Sequence, residues 1–307
     1  MHKNSRQVFD TVFKSMLANT PEFIIWLINE VFGKNIIAED ASYVQLHSEH
    51  VRADGKKVTD DSCICVNGID YHIECQSNPD GTMAIRMFEY DLMIALQGAE
   101  KNGGEYTVRY PNSCVLYLRH NEETPDKVIV HVMFANGERV DYEAPIVKAN
   151  NYTIEQIFEK RLFVLVPYYI LRYEKELEEI NNNDEKLKAF LADYDRMCEM
   201  IMKALNNKIL SLSQVAELNK WLQLVNDWVA KGKTNVKEVI QMSGAVLESE
   251  SKRLLDIGRT EGRAEGRTEG RAETLVELVE SKDITKEAAA RKFGGTYEEL
   301  LAAAKGK

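Results

Sequence analysis

The sequence from Asp61 to Gln76 reads DSCICVNGIDYHIECQ. Its two halves alternate between polar and apolar residues, as β-strands do, and they flank Asn67-Gly68. An Asn-Gly pair between alternating strands is the strongest local signal for a two-residue hairpin turn. With this turn, the numbers of paired residues sum to 135. The sequence therefore predicts a β-hairpin in which Asp61 lies opposite Glu74.

The predicted hairpin has one polar and one apolar face, because side chains alternate along a strand. The polar face carries Asp61, Cys63, Cys65, Asp70, His72, Glu74 and Gln76. The apolar face carries Ile64, Val66, Tyr71, Ile73 and Cys75 and is expected to meet the core. Two like charges directly opposite each other destabilise a sheet. The acidic pair therefore indicates either a site for Mg²⁺ or Mn²⁺ or a solvated face without function, and a β-bulge would shift the register.

Helices and further strands flank the hairpin in the sequence. Apolar residues at helical spacing predict a helix over 10–32, with a second start at Pro21 and an end at Gly33. Another helix is predicted over 82–101, and residues 154–250 read as helical throughout. The remaining predicted strands are 43–51, 113–119, 127–134 and a short strand that ends near Tyr142. This order predicts an α/β fold followed by an all-α region.

Composition limits the class of protein. The 307 residues are enough for about two domains, and the net charge is −10. Residues 1–145 hold 13 Lys/Arg and 22 Asp/Glu, a net of −9. This excess argues against a basic nucleic-acid clamp in the first half and is compatible with carboxylates that bind cations. Five scattered cysteines suit the reducing cytoplasm, and the longest apolar run, 162–171, is too short to span a membrane.

In the order of its motifs, the chain resembles the PD-(D/E)XK nuclease superfamily. More narrowly, it resembles the Rpn family of recombination-promoting nucleases and transposase-like proteins. The motifs are Asp61 followed by Glu74-Cys75-Gln76, DTVFK at 10–14, RMFEY at 86–90, and a Gly-Arg-x-Glu repeat at 258–273. The resemblance covers most of the chain, is densest over residues 8–100, and rests on the order and spacing of the motifs together.

The resemblance implies a fold, an activity and site residues. The fold is a restriction-endonuclease-like core, a mixed sheet flanked by helices. The activity is Mg²⁺- or Mn²⁺-dependent cleavage of DNA, linked to recombination or mobile-element movement. The implied metal ligands are Asp61, Glu74, the Cys75 backbone carbonyl and Asp10, and the implied catalytic set is Asp61, Glu74 and Gln76. Arg86 and Tyr90 are implied to bind substrate, although both could instead pack their helix on the sheet.

Two positions depart from the superfamily pattern. Gln76 stands where the wider superfamily has a lysine, and a glutamine can orient water but cannot supply positive charge. Asp60 stands where a proline precedes the aspartate. The competing interpretation is therefore a DNA-associated or protein-interaction module on a nuclease fold that has lost efficient chemistry. Cys63, Cys65 and His72 share a face, but no CxxC or HxxxH completes a four-ligand zinc site.

The C-terminal region contains the repeat GRTEGRAE, twice, at 258–273. Like charges four residues apart repel on a helix, and each glycine costs about 1 kcal/mol. The repeat is therefore either a flexible linker or a helix that pairs with a second copy of the chain, Arg facing Glu. Residues 274–304 predict two short helices with a turn at Gly294-Gly295 and a capping box at Thr296 and Glu299.

The predicted organisation has three parts. Residues 1–150 form the nuclease-like domain, 151–250 a helical domain, and 251–307 a tail through which the chain forms a homo-oligomer. The segment 284–295 resembles the start of a helix-turn-helix, but the residues that follow are acidic. Packing or dimerisation is therefore favoured over DNA contact for the tail.

Overall fold

A computed structural model gives the architecture. It describes the backbone of residues 2–51 and 57–305, and their side chains except at 2–6, 47–51, 57–62, 246, 250, 251, 255 and 257–265. The chain divides into two compact units, Met1–Leu247 and Glu248–Lys307. The segments predicted as nuclease-like and helical domains, 1–150 and 151–250, lie in the first unit apart from the last three residues.

Two helices open the first unit. Helix α1 spans His2–Asn19 and helix α2 spans Pro21–Phe32. Pro21 lies in the first turn of α2, where the fixed φ of proline suits a helix, and Gly33 ends the helix with φ 60°. The predicted helix over 10–32, with its break at Pro21, is confirmed. Its apolar stripe is buried: Phe9, Val12, Phe13, Met16 and Leu17 are each at most 1% exposed.

A mixed sheet of six strands forms the centre of the first unit. Its strands are β1 (Tyr43–Val51), β2 (Lys57–Val66), β3 (Ile69–Gln76), β6 (Asn112–Tyr117), β7 (Lys127–Met133) and β8 (Arg139–Lys148). The spatial order is β1-β2-β3-β6-β8-β7. Strands β3, β6 and β8 are parallel, and the outer pairs are antiparallel. The predicted α/β class, with a mixed sheet flanked by helices, is confirmed.

Two predicted elements end at the wrong residues. Helix α3 spans Met83–Gln97, not 82–101, because the chain turns at Gly103 (φ 62°) into a small hairpin. This hairpin pairs β4 (Glu100–Asn102) with β5 (Glu105–Thr107). Strand β8 extends to Lys148 instead of ending near Tyr142. Its second half runs parallel beside β6, an interaction that local sequence does not reveal.

The predicted hairpin register holds across the described pairs. Val66 pairs with Ile69 and Cys63 pairs with His72. Asn67 and Gly68 have φ of 51° and 78°, as a turn with two left-handed residues requires. A bulge lies in β2, where Asp61 and Ser62 together face the single β1 residue between Leu46 and Ser48. The described β2–β3 pairs end at Cys63 and His72, so the predicted pairing of Asp61 with Glu74 is not among them. Asp61 belongs to strand β2, but its side chain lies outside the described residues.

Both faces of β3 are covered by helices. On one face, the Tyr71 ring lies 5.5 Å from that of Phe32 in α2. On the other face, His72 is fully buried beneath α3. The helix is held there by a cluster of Met83, Met87, Val115, Tyr117, Val128 and Ala144. The face that carries Glu74 therefore lies under a helix, and the interpretation of a fully solvated face is wrong for this residue.

The rest of the first unit is helical, as predicted for residues 154–250. It contains α4 (Ile154–Glu159), a 3₁₀ segment (Phe163–Tyr173), α5 (Leu177–Asn182), α6 (Asp184–Asn206), α7 (Leu212–Val229) and the start of α8 (Thr234–Glu280). The apolar run 162–171 is core: the rings of Phe23 and Phe163 lie 5.6 Å apart. None of the helices in the described part of the chain has the length and apolarity to span a bilayer.

The second unit consists of the end of α8, α9 (Lys286–Phe293) and α10 (Tyr297–Ala304). Ala272, Leu275, Ala289 and Leu300 form its buried cluster. The turn is confirmed by Gly294 with φ 95°, and the Thr296–Glu299 capping box is present. The backbone of the repeat 258–273 is helical within α8. The flexible-linker interpretation of the repeat is therefore wrong.

Candidate active site

Glu74 lies on the α3-covered face of β3, at the centre of the sheet. Its strand neighbour on the parallel side is Val115, and its side chain is 15% exposed. Gln76, two residues on and therefore on the same face, is 8% exposed. The motif residues Glu74 and Gln76 thus project together into a narrow space between the sheet and α3.

Three neighbours fix the Glu74 carboxylate. Gln76 donates a hydrogen bond from Nε2 to Glu74 Oε1 at 2.6 Å. Arg86, from the first half of α3, donates from Nη2 to the same oxygen at 2.8 Å. The other oxygen, Oε2, lies 3.9 Å from His72 Nε2. Because both short hydrogen bonds converge on Oε1, Oε2 is the oxygen that can bind a further ligand.

Arg86 connects two carboxylates. Its Nη1 donates to Asp80 Oδ2 at 3.0 Å while Nη2 binds Glu74. Burial acts to lower the pKa of this guanidinium, but the negative charge of Glu74 and hydrogen bonds to Tyr90 and Asp80 outweigh it and raise the pKa. Arg86 is therefore a fixed positive charge beside Glu74.

Asp80 anchors the start of α3. Its Oδ1 accepts hydrogen bonds from the backbone amide and the hydroxyl of Thr82, both at 2.8 Å. These bonds, followed by that from Arg86, hold the pKa of the Asp80 carboxyl below its usual range. Arg86 lies one helical turn after Thr82. The Asp80 carboxylate therefore also fixes the position from which the Arg86 guanidinium reaches Glu74.

Behind Glu74 lies a buried polar network that the sequence did not reveal. Asp91 in α3 is fully buried and accepts hydrogen bonds from His72 Nδ1 and the Tyr142 hydroxyl, each at 2.6 Å. Burial and, after it, the charge of Asp91 together raise the pKa of the nearby Cys114 thiol to about 12. A lone acidic residue in the apolar helical segment 90–96 was the one available signal.

The other predicted site residues lie around this centre. Asp10 is exposed and forms an ion pair with Lys14 at 3.2 Å. Burial raises the pKa of the Cys75 thiol well above its usual value, and the charges of Glu74 and Asp10 raise it further. Both carboxylates therefore act on the same thiol, although Asp10 is not among the groups that contact Glu74.

Tyr90 is placed in the interior. It is 6% exposed, its ring centroid lies 6.1 Å from that of His72, and the Arg86 guanidinium lies 5.8 Å from it. A tyrosine buried to this extent packs its helix against the sheet. The position favours the packing interpretation of Tyr90 over stacking on a base.

The described residues alone do not complete a metal site. Among them, no three His, Cys, Asp or Glu side chains are grouped so that they could hold an ion. Of the three residues weighed as zinc ligands, Cys63, Cys65 and His72, the last has its Nδ1 bound to Asp91. For the predicted magnesium set, Glu74 supplies one carboxylate, and the side chain of Asp61 lies outside the described part of the chain. Glu74 Oε2 is a hard oxygen donor and suits Mg²⁺ or Mn²⁺.

The chain was compared with known protein families, curated proteins and solved structures. No protein-family model, curated protein or solved structure matches the chain. The expected resemblance to nucleases therefore rests on the motif residues of the sequence alone.

Proposed function

We propose that this protein is a metal-dependent DNA endonuclease with a PD-(D/E)XK-type core. One observation carries the proposal: Glu74 and Gln76 lie side by side on one face of a central strand and share a 2.6 Å hydrogen bond. The neighbouring strand β2, which contains Asp61, pairs with β3 in the predicted register from Cys63 to Val66. This arrangement matches the residue types and spacing of the nuclease motif.

Each residue of the site has a role in this proposal. Glu74, through Oε2, and Asp61 would hold Mg²⁺ or Mn²⁺ together with the Cys75 backbone carbonyl. When bound, such an ion activates water and stabilises charge on a phosphate. Gln76 donates its amide hydrogen to Glu74, so its own Oε1 is left to accept a hydrogen bond from the attacking water and orient it. Arg86 holds the Glu74 carboxylate in place through their ion pair, and it supplies the positive charge that Gln76 lacks.

The proposed substrate is DNA, and the proposed setting is recombination or mobile-element movement. The setting rests on the family resemblance alone. The acidic first half, with a net charge of −9 over residues 1–145, repels a polyanion. It therefore predicts weak DNA binding that strengthens with divalent cations.

Self-association through the C-terminal tail is also proposed. Helix α8 carries the Gly-Arg-x-Glu repeat in helical form. A Cβ added at Gly266 or Gly270 would meet no described atom within 4 Å, so both positions are open to a partner. Pairing of Arg with Glu between chains predicts an assembly that weakens with salt, which sedimentation velocity at 50 mM and 500 mM NaCl measures.

Cleavage of supercoiled plasmid in Mg²⁺ or Mn²⁺ tests the proposed activity. The variants are Asp61→Asn and Glu74→Gln, and the control is Glu143→Gln, which removes an exposed carboxylate paired with Lys127 at 2.7 Å. The proposal predicts metal-dependent nicking by wild type and the control, and its loss in both site variants. If wild type does not nick the plasmid, or if nicking survives in both site variants, the non-catalytic DNA-associated module is favoured. The ion pair between Arg86 and Glu74 is the observation that supports this alternative.

A further inference from the structure

The network behind Glu74 contains a fully buried carboxylate with two short hydrogen bonds. Asp91 accepts from His72 Nδ1 through Oδ1 and from the Tyr142 hydroxyl through Oδ2, each at 2.6 Å. An ionised carboxylate is costly to bury unless hydrogen bonds satisfy it. These two donors come from two different strands, β3 and β8, so Asp91 is held from two directions.

Asp91 determines how the His72 ring is oriented. A carboxylate that accepts from Nδ1 fixes the hydrogen on that atom and prevents rotation of the ring. The opposite nitrogen, Nε2, then points along the face of β3 toward Glu74, where it lies 3.9 Å from Oε2. This is the Glu74 oxygen that Gln76 and Arg86 leave for a further ligand.

We infer that Asp91 is a positioning residue of the candidate metal site, which acts through the His72 ring on Glu74 Oε2. The inference rests on the proposed function. Tyr142 holds Asp91 and has no direct part in the site. Carboxylates that hold histidines beside metal centres commonly alter metal affinity or activity by about 10- to 100-fold when they are replaced, and the same range is expected here.

The competing role for Asp91 is purely structural, a link between α3 and the sheet. The two roles predict different results in a double-mutant cycle of Asp91 and His72, in which Mn²⁺ affinity is measured by calorimetry. Asp91→Asn is expected to weaken Mn²⁺ binding about 10- to 100-fold. In a His72→Gln background, where no ring remains to be oriented, the same substitution is expected to change Mn²⁺ affinity less than about twofold.

Further variants separate the effect of the His72 ring from a general loss of stability. Tyr142→Phe removes one donor to Asp91 and leaves the His72 bond, so its Mn²⁺ affinity is expected to stay within about threefold of wild type. His72→Gln can place its amide oxygen, an acceptor like Nε2, near the position of Nε2, whereas His72→Asn places its amide near that of Nδ1. Because the inference assigns the effect to Nε2, His72→Gln is expected to bind Mn²⁺ more tightly than His72→Asn, even if Asp91→Asn does not fold.

The outcomes separate this inference from the proposed function. Plasmid cleavage by Asp91→Asn is expected to lose kcat with little change in KM for DNA. If wild type binds Mn²⁺ and cleaves DNA, and Asp91→Asn does both equally well, the inference alone is overturned. Equal effects of Asp91→Asn with and without His72, or equal affinities of the two His72 variants, also overturn it. A wild-type protein that neither binds Mn²⁺ nor cleaves DNA overturns the proposed function and the inference together.

Discussion

Replacement of Arg86 by methionine tests whether Glu74 is a carboxylate that requires a cation beside it. Arg86 and Glu74 are 12% and 15% exposed, and their ion pair is 2.8 Å long. The substitution removes the charge and the hydrogen bonds of the guanidinium but keeps much of the side-chain length. Glu74 then keeps only the hydrogen bond from Gln76.

The size of the effect follows from this burial. Removal of one partner from a fully buried ion pair costs about 3–5 kcal/mol. Here both side chains keep some contact with solvent and Gln76 still donates to Glu74, so a loss of about 2–3 kcal/mol in the free energy of unfolding is expected. For a unit of this size, that loss corresponds to about 4–12 °C in Tm.

Mg²⁺ is expected to change the stability of this variant more than that of wild type. In Arg86→Met, the uncompensated Glu74 gains more from a bound cation than it does in wild type. A ligand that binds the folded state stabilises it in proportion to its affinity. Addition of 10 mM Mg²⁺ is therefore expected to recover part of the lost stability in the variant and to raise wild-type stability less.

Urea unfolding, followed by the fluorescence of Trp26, Trp221 and Trp228 in the first unit, measures both effects. The control is Arg109→Met, which breaks an ion pair with Glu100 in which both side chains are 67% exposed. An exposed pair of this kind contributes little, so the control is expected to unfold like wild type with and without Mg²⁺. The reasoning is refuted if Arg86→Met is as stable as the control, or if Mg²⁺ shifts the variant and wild type equally.

Three further predictions address the start of α3 and the second unit. Asp80→Ala should lower the free energy of unfolding by about 1 kcal/mol at pH 7, allowing for solvent screening. Because the pKa of Asp80 is lowered in the folded state, this difference should disappear as pH falls below about 4, where the urea midpoints of variant and wild type should converge. Gly266→Ala and Gly270→Ala should each stabilise α8 by about 1 kcal/mol, since both have open space for a Cβ, which slower amide exchange around the repeat would verify. Leu300→Ala, at a fully buried position, should cost about 2–3 kcal/mol and should make residues 281–305 the first site of limited proteolysis.

The sequence predicts the hairpin well because its determinants are local. Asn67-Gly68 favours one turn geometry, and the period-two alternation then decides which residues share a face. Glu74 and Gln76 were therefore placed on one face without any knowledge of the rest of the fold. The burial of that face could not be predicted in this way, because it depends on where α3 packs.

The parts that were missed depend on contacts between distant residues. Asp91 meets Tyr142 across 51 positions of sequence, and no local pattern pairs an acidic helix residue with a tyrosine in β8. The predicted helix over 82–101 was too long for a similar reason. Its last residues have ordinary helix propensity but form the β4–β5 hairpin, whose turn at Gly103 has φ 62°.

The repeat shows how packing can override local preference. Its glycines and its like charges four residues apart disfavour an isolated helix. Helix α8 nevertheless continues through the repeat. Val236 and Leu247 are buried in the first unit, and Ala272 and Leu275 are buried in the second. Once both ends are folded, propagation through the repeat needs no new nucleation.

Anomalous diffraction from a crystal grown with Mn²⁺ tests the central claim most directly, because it locates the ion. The account predicts a manganese peak at a coordination distance of roughly 2.0–2.3 Å from Glu74 Oε2, with the Asp61 carboxylate as a second ligand. The same peak should be missing from crystals of Glu74→Gln. A map without manganese at Glu74, in which Arg86 alone neutralises the carboxylate, would contradict the account and support a binding protein on this fold.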